Sequence, residues 1–520
     1  MIKPFTHTQL MAQQVEALRH MHGREYYALL MEQGTGKTLT FIEELLRLYA
    51  NGDVDGMIVF APNGVHENWV LAELPAHMPK DVPYVAAYYV STPNRKERAA
   101  LEGLYEPRGR GCVSPVRIFA ISYDSLLTER GFRAAERFVL TVRCYMVADE
   151  SQRLKNSDTK RTRRVMNLKK HCPIRRIGTG TAITNSPMDA FSQFELLAPG
   201  LLGTESLTAF RAEYCELLPH GHGLMRHLIA RMERARGKTM TEAQKELAAP
   251  KIIAQDALGR PIYRNLDKLR ALIAEHSFRV LKEDCLDLPE KVYETRFFHL
   301  SAAQRAVYEK MEEEFRFVLE DGNTLVTSKL VAMGKLRQIT SGFILLRDGT
   351  VEYVEDNPRI ELLRGEVEGR TEQGIIWAQY REEIDNIVRA VREAGMRCEP
   401  VNGAVPMGQR RRTREAFQAG ELQWIVAHPG SMGVGFTLTA ASIVYYYSNG
   451  FNLEERLQSE DRAHRIGQTK SVLYRDFIAI DTRDDNVVWA LQHKLDTAAI
   501  IHGDPERQSR FGSIQKGRTK

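Results

Sequence analysis

Short apolar segments alternate with longer amphipathic ones over most of the chain. The apolar segments are rich in β-branched residues and predict strands at 26–30, 57–61, 117–122, 145–149 and 175–178. Between residues 39 and 49, apolar side chains recur at helical spacing directly after the first predicted strand. Repeated strand–helix pairs are typical of a parallel sheet covered by helices. The pattern therefore predicts an α/β domain.

This alternation stops at about residue 205. From there to residue 289 the chain predicts charged helices with turn breaks and no strand. Strands are predicted again at 374–378, 424–428, 443–447 and 472–479. We therefore expect a first α/β domain over 1–204, a helical insertion and bridge over 205–289, a second α/β domain over 290–498 and a basic, polar tail over 499–520.

Composition is that of an ordinary globular protein, with 43% hydrophobic and 27% charged residues among 520. A net charge of +5 allows an anionic partner without demanding one. The six cysteines are scattered singly, which favours reduced thiols over disulfides or a zinc site. Neither a signal-peptide core nor an apolar run of about 18 residues is present, so we expect an intracellular protein without a membrane span.

A glycine-rich turn in LLMEQGTGKTLT separates an apolar strand from an amphipathic helix. Backbone N–H groups of Gln33, Gly34, Thr35 and Gly36 are expected to wrap the phosphates of a nucleotide at the helix N-terminus. Lys37 would then reach the β- and γ-phosphates, and Thr38 would hold Mg²⁺ through its hydroxyl. Met31 stands where the general GxxxxGK[ST] pattern has its first glycine, and a chance GTGKT turn is the alternative.

An acidic pair, Asp149 and Glu150, ends the predicted strand YMVAD. Asp149 is suited to bind the metal through water, and Glu150 to polarise the attacking water. Most acidic pairs lie on the solvated surface of a protein. This pair ends an apolar strand and follows the phosphate loop at a distance of about one domain, a position at which a surface pair is much less common. Together the two elements predict nucleoside triphosphate hydrolysis.

An arginine pair lies in QSEDRAHRIGQTK near the end of the second α/β region. Arg462 and Arg465 are three residues apart and are expected to share one helical face. Two guanidinium groups aimed from a second domain at the γ-phosphate would stabilise transition-state charge. A surface salt-bridge helix with Glu460 and Asp461 is the alternative.

Taken in order, these segments resemble the SNF2-like branch of superfamily 2 helicases and translocases, over about residues 5 to 489. MEQGTGKT is similar to motif I, in which this branch normally replaces the first glycine. DESQRLKN (149–156) is similar to motif II with its RxKN-type extension, and HSFRVLKEDCLDLPEK followed by LSAAQRAVY is similar to the bridge between the two lobes. The other matching segments are APNGVHENWVLAE for motif Ia, FAISYDSL for Ib, GTGTAITNSPMDAFSQFELLAPG for III, GIIWAQY for IV, GSMGVGFTLTAA for V and QSEDRAHRIGQ for VI.

The resemblance implies two RecA-like parallel-sheet lobes in tandem with a helical insertion between them, and an ATPase that uses Mg²⁺. It gives Lys37, Glu150, Arg462 and Arg465 catalytic roles. Gln9 is implied in adenine recognition, although a solvated glutamine is nearly as expected there. Further implied roles fall on Gln152, which would couple the nucleotide site to motif III, and on Gly433 and Gly435, which would let backbone approach nucleotide and DNA.

Family members are mostly translocases on double-stranded DNA, so the resemblance implies phosphate contacts with duplex DNA and displacement of bound proteins. Two departures are Ala182, in place of a proline in motif III, and Ser448, where an aspartate often stands. Candidate DNA contacts are the loops of motifs Ia, Ib, IV and V and the basic cluster Arg153, Lys155, Lys160, Arg161, Arg163 and Arg164, which equally fits a solvated helix face.

Two alternatives stay open, a strand-separating or annealing helicase and a nucleotide-gated DNA clamp with little turnover. Because the chain is short for this family, we expect a compact bacterial or phage protein in the cytoplasm, monomeric when free, or a nuclear one if eukaryotic. The segment 205–289 is the expected place for partner specificity.

Overall fold

We describe a computed structural model of the chain. It describes residues 5–106, 114–219, 252–256, 260–320, 326–346, 348–431 and 436–504, with scattered positions between 222 and 241. No helix among these residues is long and apolar enough to cross a membrane. The cysteines in the described part of the chain, Cys144, Cys172, Cys215, Cys285 and Cys398, are free thiols, as predicted.

The first lobe is built on a seven-stranded sheet whose paired strands are all parallel, in the order β3-β4-β2-β5-β6-β1-β7. Its strands are β1 (Tyr26–Met31), β2 (Gly56–Ala61), β3 (Tyr84–Tyr88), β4 (Val116–Ser122), β5 (Cys144–Asp149), β6 (Ile174–Gly178) and β7 (Ser277–Val280). Its longer helices are Ala12–Met21, Lys37–Ala50, Arg95–Gly103, Glu129–Thr141, Lys160–Leu168, Met188–Leu197, Leu207–Tyr214 and Leu266–Glu275. Short helical turns are Val65–Asn68, Trp69–Glu73, Leu74–His77, Ser125–Leu127, Ser151–Leu154 and Lys169–His171.

The second lobe is built on a six-stranded parallel sheet in the order β12-β13-β11-β14-β15-β8. Its strands are β8 (Lys291–Phe298), β11 (Gly374–Trp377), β12 (Cys398–Val401), β13 (Trp424–Ala427), β14 (Ile443–Tyr446) and β15 (Val472–Ala479), and an antiparallel hairpin is formed by β9 (Phe343–Leu345) and β10 (Val351–Tyr353). Its helices are Ala302–Glu320, Val326–Thr340, Pro358–Val367, Arg381–Glu393, Met407–Gln418, Pro429–Ser431, Leu453–Glu460 and Asp484–His502. The predicted α/β fold with two parallel-sheet lobes in tandem is confirmed.

Each sheet is covered on both faces, which explains why central strands such as β2 and β13 are unbroken apolar runs. In β5, for example, the whole segment CYMVAD is buried. Two apolar clusters lie on opposite faces of the first sheet, and two more on opposite faces of the second. This packing fixes the carboxyl ends of the central strands, where the candidate site residues begin.

The segment 205–289 is not purely helical, contrary to the sequence prediction. It contains isolated strand-like pairs, Cys215 with Tyr263 and Leu217 with Ile253, and it supplies β7. Residues Ser277–Val280 pair in parallel with Ala28–Met31 of β1, so the first lobe takes its last strand from the expected insertion. The reason is that β7 is a four-residue edge strand, too short and too polar (SFRV) to predict from alternation.

The last described helix, Asp484–His502, reaches back from the second lobe to the first. Lys494 Nζ donates to Asn185 Oδ1 at 2.9 Å, and Arg279 forms a 2.8 Å ion pair with Asp504. The helix therefore continues through the first four residues of the expected tail, 499–520. Residues 505–520 lie outside the described part of the chain.

Candidate nucleotide site between the lobes

The phosphate loop lies between β1 and the helix Lys37–Ala50. Gly34 and Gly36 adopt left-handed backbone, with φ of 87° and 97°. A β-carbon on Gly36 would lie 2.2 Å from the amide nitrogen of Gln14. Gln14 is buried, and its Nε2 donates to the Gly36 carbonyl at 2.9 Å. Glycine is therefore needed at position 36 both for conformation and for space.

Lys37 is buried against its own loop. Its ammonium donates to the carbonyl of Met31 at 2.7 Å and to that of Glu32 at 3.2 Å. Thr38 follows it in the first turn of the helix and is half-buried. The loop thus carries a cation, a hydroxyl and a helix N-terminus at one place, as a triphosphate requires.

Asp149 lies at the carboxyl end of β5 and is nearly fully buried. Its Oδ2 accepts a 2.9 Å hydrogen bond from Trp69 Nε1, and its Oδ1 accepts one of 3.1 Å from the Glu150 N–H. Burial, followed by the charge of Glu150, raises the pKa of Asp149 to about 6. These contacts hold the carboxylate in one orientation beside the phosphate loop.

Glu150 is buried beside Asp149 with strained backbone, at a φ of 52°. Gln33 of the phosphate loop donates to its Oε1 at 3.3 Å, and Gln152 donates to its Oε2 at 2.8 Å. The predicted general base is therefore held by one amide from the loop and one from its own turn. Such paired donors restrict where the carboxylate points.

Arg462 enters the site from the second lobe. Its side chain is 4% exposed, and its Nε has no hydrogen-bond partner among the described residues. Burial and the neighbouring Arg465 lower the pKa of Arg462 to about 10, while the carboxylates of Asp461 and Glu150 oppose the shift. A buried guanidinium that is affected by the charge of Glu150 and keeps one N–H group without an acceptor among the described residues is suited to bind an anionic ligand between the lobes.

The arginine pair does not lie on a helical face, which corrects the sequence prediction. The helix Leu453–Glu460 ends before it, and residues 461–467 form successive turns. The His464 N–H bonds the Glu460 carbonyl at 3.2 Å, while the His464 carbonyl accepts from the ammonium of Lys282. In a continuing helix the His464 carbonyl would accept from a backbone N–H of the next turn, and here it accepts from Lys282 instead.

Gln152 forms no hydrogen bond with motif III among the described residues. Its Nε2 donates to Glu150 Oε2 and also approaches Glu454 Oε1 of the second lobe at 3.4 Å. Two other hydrogen bonds join motif II to motif III: the Ser151 hydroxyl donates to Gln193 at 2.7 Å, and the Lys155 ammonium donates to the Thr184 hydroxyl at 2.9 Å. The role of Gln152 in coupling the nucleotide site to motif III stays a prediction.

Gln9 is exposed at the start of the described chain, and its role in adenine recognition stays a prediction. The glutamines that contact the phosphate loop are Gln14 and Gln13, whose Nε2 lies 3.4 Å from the Thr35 carbonyl. Gly433 and Gly435 lie outside the described residues.

Sequence reasoning missed Trp69, Gln14 and Glu454. In the sequence, Trp69 is marked only by its position in the motif Ia segment, and a tryptophan there is expected to be an ordinary core residue. Glu454 is nearly buried and faces Gln152, Arg153 at 3.7 Å and Lys155 at 3.8 Å. Contacts of this kind join elements about 300 residues apart, which no local pattern encodes.

The basic cluster of the first lobe is only partly available to a ligand. Arg161 pairs with Asp124, and Arg164 donates to the carbonyls of Leu126 and Thr128. Arg153 is exposed but lies 3.7 Å from Glu454, and Lys160 is exposed. The free part of the cluster is therefore smaller than the sequence indicated.

The site fits a magnesium-bound nucleoside triphosphate. Thr38 and Asp149 offer the hard oxygen ligands that Mg²⁺ prefers, and Lys37 and Arg462 offer cations from the two lobes. The unpartnered Nε of Arg462 and the left-handed loop at Gly36 are the structural features that an ordinary salt-bridge surface would lack.

Two family models match the chain, the SNF2-related domain over residues 13–342 and the helicase conserved C-terminal domain over residues 358–467. YwqA of Bacillus subtilis, named as an ATP-dependent helicase/translocase, is 26% identical over 484 residues, 89% of this chain and 45% of YwqA. MG018 of Mycoplasma genitalium, named as an ATP-dependent helicase, is 22% identical over 91% of this chain and 40% of its own length. The chain thus spans less than half the length of these relatives.

Among solved structures, the SWI2/SNF2 ATPase core of Sulfolobus solfataricus in complex with double-stranded DNA covers 97% of this chain and 95% of its own, with 22% identity and a TM-score of 0.39. The SNF2-related model alone matches more than half of the chain, over the first lobe and into the second. The resemblance found in the motifs is therefore confirmed, and the chain belongs to the SNF2-related family.

Proposed function

We propose that the protein is a DNA-stimulated ATPase that moves along double-stranded DNA and displaces or remodels proteins bound to it. The observation that carries this proposal is the position of Arg462. This residue of the second lobe is buried, its Nε has no hydrogen-bond partner among the described residues, and it is close enough to Glu150 of the first lobe to be affected by its charge. A hydrolytic site divided between two lobes links nucleotide turnover to their relative movement.

In this proposal ATP binds with its phosphates on Gln33–Gly36 and Lys37. Mg²⁺, when bound near Thr38 and Asp149, supplies charge neutralisation on the phosphates. Glu150, whose carboxylate is oriented by Gln33 and Gln152, accepts a proton from the attacking water. Arg462 and Arg465 stabilise the charge that develops on the transferred group.

Movement on DNA would use phosphate contacts, because a motor has to work on any sequence. The exposed Lys160 of the first lobe and Arg412 of the second are candidates, since neither forms an ion pair with a carboxylate in the described part of the chain. The slope of DNA affinity with salt would report how many such contacts form. The relatives YwqA and MG018, named as an ATP-dependent helicase/translocase and an ATP-dependent helicase, also support a helicase or translocase role for this chain.

The test is the ATPase rate of the purified protein with duplex, single-stranded and branched DNA and with RNA, side by side. We expect duplex DNA to raise the rate, and Glu150→Gln to abolish it while nucleotide binding persists. No stimulation by duplex DNA would contradict the proposal. A strand-displacement assay beside a triplex-displacement assay separates the helicase alternative, since a translocase removes the third strand and leaves the duplex paired. Unchanged behaviour of Glu150→Gln would instead favour a clamp.

A further inference from the structure

Lys282 lies in the bridge that leaves β7 and leads to β8. Its ammonium donates to Asp461 Oδ1 at 2.6 Å and to the His464 carbonyl at 3.2 Å. Both acceptors belong to the turn that carries Arg462. The side chain is only 7% exposed, so its charge depends on these acceptors.

The same residue contacts the phosphate loop through its main chain. The Lys282 N–H donates to Glu32 Oε2 at 2.8 Å, and the Glu32 N–H donates to the Val280 carbonyl at 3.0 Å. The Glu32 carbonyl accepts from the ammonium of Lys37. One residue therefore contacts the phosphate loop with its backbone and the arginine turn with its side chain.

Two further contacts hold the same turn. His464 Nε2 lies 2.7 Å from the Pro289 carbonyl of the bridge, and Lys291, at the start of β8, lies 3.9 Å from Asp461 Oδ1. Burial lowers the pKa of Lys282, and the Asp461 carboxylate opposes that shift. The turn is thus held to the bridge along its length, with Lys282 at the end nearest the phosphate loop.

We propose that Lys282 is a positioning residue that sets the arginine pair against the nucleotide. By bonding Asp461 and the His464 carbonyl it holds the guanidinium of Arg462 toward Glu150, while its N–H holds the loop that carries the phosphates. This inference rests on the ATPase activity proposed above. A buried ion pair could also serve stability alone, and the two roles differ in what they predict for catalysis.

The first test compares Lys282→Met with Lys494→Met, which removes another cation that joins the lobes but lies away from the arginine turn. We expect Lys282→Met to lower kcat by about tenfold to a hundredfold, with KM for ATP changed by less than about threefold. Lys282→Arg should recover part of the rate, and Lys494→Met should keep it. Thermal unfolding of each variant confirms that the compared proteins are folded.

The second test asks whether Lys282 acts through Arg462. In an Arg462→Ala, Arg465→Ala background, Lys282→Met should cause little further loss of kcat, because both groups that it positions are already missing. If Lys282→Met lowers kcat by the same factor in this background as in the parent protein, the proposal is overturned and Lys282 has a general structural role. If Lys282→Met does not fold, Asp461→Ala removes the carboxylate that accepts from Lys282 and is expected to lower kcat in the same way.

The outcomes separate the two proposals. A parent protein that hydrolyses ATP beside a Lys282→Met variant with parental kcat overturns this inference only. A parent protein without ATP hydrolysis overturns the proposed function and this inference together.

Discussion

The indole of Trp69 donates a 2.9 Å hydrogen bond to Oδ2 of Asp149, from the segment that follows β2 to the end of β5. Both groups are buried. Among the described residues this indole N–H has no other acceptor, so it fixes the carboxylate at the point where Mg²⁺ is proposed to bind.

Replacing Trp69 by phenylalanine keeps the ring and removes this donor. We expect kcat for ATP hydrolysis to fall by about tenfold, since outer contacts of a metal ligand are typically worth about 10- to 100-fold. The Mg²⁺ concentration that gives half-maximal rate should rise. Trp377→Phe is the matched control, because the Trp377 indole N–H is buried without a hydrogen-bond partner among the described residues. Equal rates for the two variants would contradict the assigned role.

Arg462→Ala should lower kcat by about 10³-fold, because the variant loses the cation that faces the developing charge. Nucleotide affinity, measured by equilibrium binding of a fluorescent ATP analogue, should change far less. Arg389→Ala, which removes an exposed arginine from the same lobe, should leave the rate unchanged. A parental rate for Arg462→Ala would mean that the guanidinium has only a structural role, such as its 3.4 Å hydrogen bond to the Phe436 carbonyl.

Glu454→Gln tests the contact between the second lobe and the motif II turn. The carboxylate of Glu454 faces Gln152, Arg153 and Lys155 of the first lobe, so its neutralisation should weaken the attraction between lobes. We expect a several-fold lower kcat at physiological salt. Glu455→Gln on the same helix is the control, and a similar loss in both variants would assign the effect to the helix in general.

His464 should make folding sensitive to acid. Burial and the nearby Lys291 lower the pKa of His464 in the folded protein. A histidine whose folded pKa lies below its unfolded value of about 6.5 stabilises the protein fully above that pH, and the stability is lost as pH falls below it.

We therefore expect the Tm of the parent protein to fall more steeply between pH 7 and pH 5 than that of His464→Gln, which keeps a donor for the Pro289 carbonyl. His299→Gln replaces an exposed histidine and should follow the parent curve. Parallel curves for the parent and His464→Gln would show that this histidine does not titrate differently on folding.

Much of the fold was predictable from local pattern. The central strands of both sheets were predicted to within about two residues at each end, because they are buried and most of their residues are apolar. The strands that were missed, β3 and β7 in the first sheet and β8 and β12 in the second, form the edges of the two sheets. Edge strands are partly exposed and carry polar residues, so their pattern resembles that of a loop.

The placement of several site residues was also predictable where it depends on neighbours in the chain. Lys37 and Thr38 follow a glycine loop, and Asp149 and Glu150 end a buried strand, so residue type and local context are enough. The direction of a side chain does not follow from local sequence. Gln152 was expected to couple the nucleotide site to motif III, and only the structure showed that its amide donates to Glu150 and approaches Glu454.

The sequence alone established two parallel-sheet lobes, a phosphate loop with its acidic partner and an arginine pair, because each depends on short-range periodicity or on a short motif. Only the tertiary structure showed that Trp69 orients Asp149 and that Lys282 joins the phosphate loop to the arginine turn. These contacts join residues 80 to 250 positions apart. They arise from the packing of whole sheets and lobes, which decides which distant side chains meet, and no local pattern records that choice.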